Sequence, residues 1–374
     1  MKKYDCIIIG CGPAGMSAAY HLFRNGITNI CIIEKNNENY HKPCAGLITK
    51  KGNKLLLEMK IDLKKESDYF EMNDINIFYK NNKSFKINTK EYSWLASKYP
   101  NRENFDDLLK DKIKKLGVPC FYNMNIINIE ENEVITKNKT FKYKNIIFAD
   151  GVNGYSKKYN KKDKLKNFSL EVVVKNTNIS NKNFVNLYFG ISKKGYAWYG
   201  NTGKNISIGL TDEYNKKINY INLLKDFSKT LGYEINNKDI KGAYFPCGPK
   251  KNVTYGNNTY IIGDAAGLTD PLTAEGIYYS LITAKYAALA IARGDINYYI
   301  NKVKPITNNF KFINKSRNLF YNKFISKFLW NKFSKKHSDF VSFAWQNVVI
   351  EGKYKYKDIL KYHKDYKNSK KNKS

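Results

Sequence analysis

The sequence predicts a mixed α/β protein in which parallel βαβ pieces at the two ends bracket an antiparallel sheet. Three observations carry this. An apolar run, Tyr4–Ile9, ends in glycine and is followed within about 30 residues by a helical stretch and a second apolar run. The middle of the chain, 168–211, alternates apolar and polar residues at the period of a half-buried strand. A third apolar run at 258–263 then leads through small residues into a long helix. Such an order implies two interleaved domains, not two in series.

The elements follow in chain order. Residues 4–9 and 29–34 read as buried parallel strands, joined by a helix over 13–25 with Ala14, Ala18, Ala19 and Leu22 on its packing side. Polar Lys/Asn-rich sequence runs to about 70, broken by Lys42-Pro43-Cys44-Ala45-Gly46-Leu47. Residues 106–116 form an amphipathic helix through Leu108, Leu109, Ile113 and Leu116. Strands are expected at 125–129, 133–136, 140–143 and 145–149. Antiparallel strands follow around Leu170, Val172 and Val174, then at 184–190, 195–200 and 204–210. A helix at 217–231 and a strand at 240–246 lead to the strand at 258–263 and a helix at 275–293. From 296 onward the chain reads as helical, aromatic and basic, with only the last eight residues disordered. The domains drawn from this are 1–70, 97–165 and 250–295 for the parallel unit, 71–96 and 166–249 for the antiparallel one, and 296–374 for a basic helical region.

Composition bounds the function. With 374 residues and 42% hydrophobic content the chain can bury a large core, which excludes a disordered tail or a disulfide-stapled miniprotein. The net charge is +32, yet only Arg24, Arg102, Arg293 and Arg317 are arginines. Sequence-specific nucleic-acid readers favour the bidentate arginine fork. The lysine excess, with abundant Asn, Ile and Tyr, matches AT-rich codon usage, so no specific nucleic acid is expected as a partner. Cys6, Cys11, Cys31, Cys44, Cys120 and Cys247 form no CxxC pair and no His stands at ligand spacing, so no metal is expected. Met1-Lys2-Lys3 followed at once by a strand is no signal peptide, and no run reaches the roughly 18 apolar residues of a membrane span. The expected location is cytoplasmic, with peripheral contact at the inner membrane face as an extension.

Four segments carry chemistry. Gly10-Cys11-Gly12-Pro13-Ala14-Gly15 is a GxGxxG between strand and helix. Gly10 permits the turn, Gly12 a close phosphate approach and Gly15 helix packing, with the helix N-terminus facing the phosphates. Glu34, followed by Lys35, ends the next strand, where a carboxylate can accept ribose hydroxyls. Far downstream stands Gly263-Asp264-Ala265-Ala266-Gly267, then Asp270-Pro271-Leu272-Thr273-Ala274-Glu275-Gly276-Ile277. Asp264 can bond a sugar-alcohol hydroxyl, and the helix start near Glu275 and Gly276 can face an electron-accepting ring whose anion its dipole stabilises. Between them lie Ala149-Asp150-Gly151-Val152-Asn153-Gly154 and Asn101-Arg102-Glu103-Asn104-Phe105-Asp106.

Together these segments resemble the FAD-binding elements of the p-hydroxybenzoate hydroxylase-like flavoproteins, with a Rossmann-like domain. Asp150-Gly151 resembles that fold's DG motif, although Gly154 stands where Ser is usual and a hydroxyl contact is lost. Arg102 resembles the arginine of its Arg-x-x-Phe-Asp helix entry. Lys42–Leu47 resembles the Lys-Pro-Cys-Gly-Gly-Leu segment of the geranylgeranyl reductase family, with Ala45 in place of a glycine before Gly46. Gly195–Tyr199 with Ile206–Leu210 resembles that family's substrate-cavity strands. The resemblance covers about residues 1–295 and suggests a bacterial member.

The resemblance implies an FAD-dependent oxidoreductase that reduces C=C bonds of a hydrophobic, polyprenyl or isoprenoid-like substrate by hydride transfer from flavin N5, with NAD(P)H or another reductant as electron donor. Cys44, Tyr196 and Trp198 are the catalytic candidates. Two aromatics on one strand face are as often plain core, and a cysteine in a tight loop as often packing. An FAD monooxygenase acting on an aromatic or quinone-like compound, and a membrane-associated flavin-binding protein without turnover, are the alternatives. Residues 293–374 carry a net +15 and include Phe310, Phe312, Phe320, Phe324, Phe328, Trp330 and Phe333. That pattern suits an anionic membrane surface or a helical cap over the substrate cavity.

Overall fold

The computed structural model describes residues 2–371 apart from 67–68, 81, 96–102, 131, 161–165, 176–183, 202–204, 247 and 322–337. Arg102, Cys247, Phe324, Phe328, Trp330 and Phe333 therefore lie outside the described residues, as does the side chain of Phe320. In chain order the elements are β1 (Lys3–Ile9), α1 (Pro13–Arg24), β2 (Ile30–Ile33), β3 (Leu47–Ile48), α2 (Lys50–Glu58), α3 (Leu63–Glu66), β4 (Tyr69–Tyr79) and β5 (Asn82–Leu95). Next come α4 (Glu103–Lys115), β6 (Cys120–Phe121), β7 (Ile126–Glu130), β8 (Glu133–Thr136), β9 (Thr140–Phe148), β10 (Lys166–Lys175), β11 (Phe184–Phe189), β12 (Tyr196–Asn201) and β13 (Asn205–Glu213). The chain closes with α5 (Tyr220–Thr230), β14 (Lys241–Pro246), β15 (Thr254–Tyr255), β16 (Thr259–Ile261), α6 (Ile277–Arg293), α7 (Ile296–Phe320), α8 (Ser338–Ala344) and α9 (Ile359–Lys371).

Two mixed sheets result, so the mixed α/β class holds. The first runs β15-β16-β9-β1-β2-β6, with β7 and β8 attached beside β9. Its centre is parallel: Ile7 stands opposite Cys31 on β2 and Ile146 on β9, and Tyr260 opposite Ile147. These strands are the near-continuous apolar runs, buried on both faces as such strands must be. α1 and α6 pack together, with Ala18, Ala19, Ala284 and Ala288 all buried in the same core, and Ser17 Oγ donates to Leu281 O at 3.3 Å.

The second sheet runs β14-β10-β13-β12-β11-β4-β5-β3 and is antiparallel except where β11 meets β4. Its two faces follow the strand period. Tyr188, Ala197, Ile208 and Leu210 pack under α5 with Leu224 and Phe227. Leu187, Phe189 and Trp198 face the other way, with Ile75, Ile77 and Val185. That second face is covered by the C-terminal region through Tyr321, Val341, Trp345 and Ile350.

Several boundaries differ from the sequence reading. β9 is one strand, not two, because Phe141 and Tyr143 stay buried while Lys142 and Lys144 point out. α5 starts at Tyr220, since Asn219 caps it by accepting the Asn222 amide at 3.1 Å. α6 starts at Ile277, not 275, after a loop in which Ala274 adopts φ +59°. Phe310 is core, fully buried against Tyr279, while Phe312 is exposed.

Candidate active site

The three glycines after β1 do different jobs. Gly10 sits at φ +105°, and a Cβ there would lie 2.4 Å from Ala149 O. A Cβ at Gly15 would lie 1.9 Å from Gly10 O, so helix and turn meet backbone to backbone, with Ala14 buried beside them. Around Gly12 nothing lies within 4 Å of where a Cβ would stand. Gly12 caps α1 without a side chain on the free amides, and Pro13 follows. The positive end of α1 therefore opens onto a cleft of about 680 Å³.

Gly10, Gly12, Pro13, Glu34, Lys35, Asp150 and Gly151 all line that cleft. Glu34 is held rigidly, its Oε2 accepting the Cys11 amide at 2.8 Å and its Oε1 the Asn36 amide and Nδ2 at 2.9 Å. A carboxylate so fixed keeps lone pairs for ligand hydroxyls. The dinucleotide part of FAD fits this set: an uncovered helix start for the diphosphate and a fixed acceptor for the ribose.

Asp150 has a hydroxyl partner that the Gly154 position does not supply: the Ser156 Oγ and amide donate to it at 2.6 and 2.8 Å. Gly154 is demanded by that arrangement, since a Cβ there would lie 2.1 Å from Asp150 Cγ. Burial raises the Asp150 pKa, and the Ser156 bonds oppose the rise.

Beyond Lys42, which lines the cleft, stands Asp264, on a short turn where Gly263 takes φ +54° and a Cβ would lie 2.9 Å from Ser280 Oγ and 3.2 Å from Ala14 Cβ. Thr269 Oγ1 donates to Asp264 Oδ1 at 2.6 Å, and Lys42 Nζ pairs with Oδ2 at 3.0 Å. Lys42, two residues before Cys44, thus sets its ammonium on Asp264. Gly276 leaves room beside that carboxylate, for a Cβ there would lie 3.3 Å from Oδ1. Gly276 also caps α6 with no side chain, and Ile277 behind it is buried.

The loop between is closed on itself. Asp270 Oδ1 accepts the Leu272 and Thr273 amides at 2.9 and 3.1 Å, and the Asp270 amide donates to Glu275 O at 2.9 Å. Pro271 is buried within it. Glu275 does not present its carboxylate to a cofactor. It is buried in an ion pair with Lys51 Nζ at 2.7 Å and accepts Thr49 Oγ1 at 2.6 Å. Lys51 in turn lies 4.7 Å from the Tyr278 ring. Burial raises the Glu275 pKa, against the opposing effects of Lys51 and Thr49.

The second sheet reaches this loop through Tyr196, whose phenol donates to Thr273 O at 2.7 Å. Burial, then Tyr321, Asp270 and Cys44, push its pKa upward, so it stays a neutral donor. Trp198 is core: its Nε1 donates to Ser207 Oγ at 2.9 Å, which donates to Glu171 Oε1 at 2.5 Å, leaving only the ring for a cavity. Cys44 is half-buried against the first-sheet core and Ala45 packs on the second-sheet cluster, so this short segment bridges the two. Gly46, at φ +73°, donates its amide to Cys44 Sγ at 3.5 Å. Ser156, Thr49 and Lys51 carry no signal in the sequence, and Thr269 stands between the two downstream segments with none of its own. Among the described residues no group of three His, Cys, Asp or Glu could hold a metal, and no helix is long and apolar enough to cross a membrane.

Comparison with known proteins agrees with this fold. A family model described as pyridine nucleotide-disulphide oxidoreductase matches residues 4–183. An uncharacterised protein of Methanosarcina barkeri is 31% identical over 303 residues, 78% of this chain and 75% of that one. A digeranylgeranylglycerophospholipid reductase of Methanocaldococcus jannaschii is 27% identical over 328 residues, 78% of each chain. A solved structure of a geranylgeranyl bacteriochlorophyll reductase-like protein from Thermoplasma acidophilum has a TM-score of 0.74 and 19% identity, covering 98% of this chain and 99% of that one. All three organisms are archaea, so these relatives do not support the expected bacterial placement.

Proposed function

We propose that the chain, an oxidoreductase similar to the digeranylgeranylglycerophospholipid reductases, reduces carbon–carbon double bonds of a hydrophobic, polyprenyl or isoprenoid-like compound. One observation carries this reading. The apolar face formed by Leu187, Phe189, Tyr196 and Trp198 meets the loop that opens α6, and Cys44 sits at the junction. Membership in an enzyme family sets aside the reading without turnover.

Bound FAD supplies the two-electron chemistry, hydride delivery to one alkene carbon. The residues supply everything else. Gly12, the α1 amides and Glu34 would hold the dinucleotide, and Asp264 would accept a hydroxyl of it. Tyr196 pins Thr273 and with it the first amides of α6, whose partial positive charge favours electron gain. The aromatic wall keeps water from the alkene. Cys44, whose Sγ accepts the Gly46 amide, supplies the proton for the second alkene carbon. NAD(P)H or another reductant serves as electron donor.

Lipid and quinone mass spectrometry of a strain lacking this protein tests the reading. A compound lighter by two hydrogens per bond must accumulate. Loss of an oxygenated product instead would favour hydroxylation.

A further inference from the structure

The loop 270–276 is gripped from outside by the segment Ile350-Glu351-Gly352-Lys353-Tyr354-Lys355-Tyr356. Beyond a π-helical turn at Trp345–Ile350, residues 350–356 run from the apolar face of the second sheet toward α2 and the loop. Ile350 is fully buried in the cluster with Trp198 and Phe189. Gly352, at φ +66°, lies over Lys51, where a Cβ would come within 3.1 Å of Cδ. Lys51 is the buried partner of Glu275 at the end of the loop. At the start of the loop, the Tyr356 phenol donates to Asp270 Oδ2 at 3.1 Å. Tyr356 is the partner found for that oxygen among the described residues, while Oδ1 orders the Leu272 and Thr273 amides.

Two physical points make these contacts matter. Asp270 is only 3% exposed, so an oxygen left without a donor carries a desolvation penalty. Ala274 sits at φ +59°, a conformation that a residue with a Cβ holds only when its surroundings impose it. The loop is therefore not in its own preferred shape, and its shape depends on what it touches.

We propose that residues 350–356 form a strap that couples the apolar face to the loop before α6, with Tyr356 as the positioning residue. Ile350 senses what packs on the apolar face. Tyr356 at one end of the loop and the Lys51–Glu275 pair at the other transmit it. The part played by the loop at the cofactor rests on the function proposed above; the grip of the strap on the loop does not.

The experiment compares full-length wild type with Tyr356→Phe and Tyr354→Phe; the Tyr354 phenol bonds Asp365 within the C-terminal region and does not touch the loop. Amide hydrogen exchange in the apoprotein reads the grip directly. Exchange at Leu272, Thr273 and Ala274 should rise about tenfold in Tyr356→Phe and stay at the wild-type rate in Tyr354→Phe. In the FAD-loaded protein, Tyr356→Phe alone should release FAD faster and shift the flavin midpoint potential. Unchanged loop exchange in Tyr356→Phe, or equal acceleration in both variants, overturns the strap. A wild type that binds no FAD overturns the cofactor reading instead, and the exchange result still decides the strap.

Discussion

At the residue scale, sequence reading succeeded where backbone geometry dictates the residue. Gly10 and Gly15 were legible because a tight turn and a close helix leave no room for a Cβ, Gly12 because it stands between them in one motif, and Glu34 because it ends a recognisable strand. Ser156, Lys51 and Tyr356 were not, since each meets its partner only through the fold. The glycines give a sharp contrast. Gly12→Val has space in the protein and an ordinary φ of −84°, so the apoprotein should unfold at the wild-type midpoint yet retain no FAD. Gly10→Ala must instead destabilise the fold itself, by about 2 kcal/mol or more, from its φ and the clash with Ala149. Thermal unfolding and flavin content of the two variants check this. His21 gives a pH signature. Burial, with Lys285 nearby, lowers its pKa to about 4, so the fold holds it neutral. Its contribution is present above the unfolded value near 6.5 and is lost as pH falls through 4, roughly 3 kcal/mol in all. Urea titrations across that window should show the loss in wild type and a flatter profile in His21→Gln.

At the element scale, periodicity identified the parallel strands and the helices that cover them, because both faces of those strands are apolar. It passed over α2 and gave no strands for the β4–β5 hairpin, where lysines and asparagines interrupt the apolar residues along the sequence and mask the pattern. α2 turns out to hold the loop before α6, through Lys51 and Glu275. Breaking a buried pair leaves an uncompensated charge, so Lys51→Met should destabilise by about 3–5 kcal/mol. The sign of its pH dependence follows from Glu275, whose folded pKa is raised. A carboxylate of that kind is tolerated when protonated and opposes folding as pH rises. The loss in Lys51→Met should therefore be larger at alkaline than at mildly acidic pH. Denaturant unfolding at the two pH values measures it, and a loss that grew toward acid would contradict the assignment.

At the scale of the whole molecule, the basic C-terminal region is not a detachable tail where it is described. Tyr299 donates to Ile261 O at 2.6 Å, Phe310 is core, and Ile350 closes the apolar face. The choice between a cap and a membrane surface, open in the sequence, is met first as a cap. Peripheral membrane contact remains a proposal with its own test. Since truncation near residue 300 would expose core, exposed lysines such as Lys311 and Lys315 should be changed to glutamate instead. Each lysine near an anionic surface contributes on the order of 1 kcal/mol, so wild type should sediment with anionic vesicles, release in high salt, and lose binding in the variant. The central claim concerns chemistry, and anaerobic turnover tests it most directly. Purified FAD-loaded protein, reduced chemically and mixed with a geranylgeranyl-bearing lipid, should reoxidise its flavin while the lipid gains two hydrogens per turnover by mass spectrometry. A flavin that stays reduced until oxygen is admitted, with a product heavier by one oxygen, would contradict it.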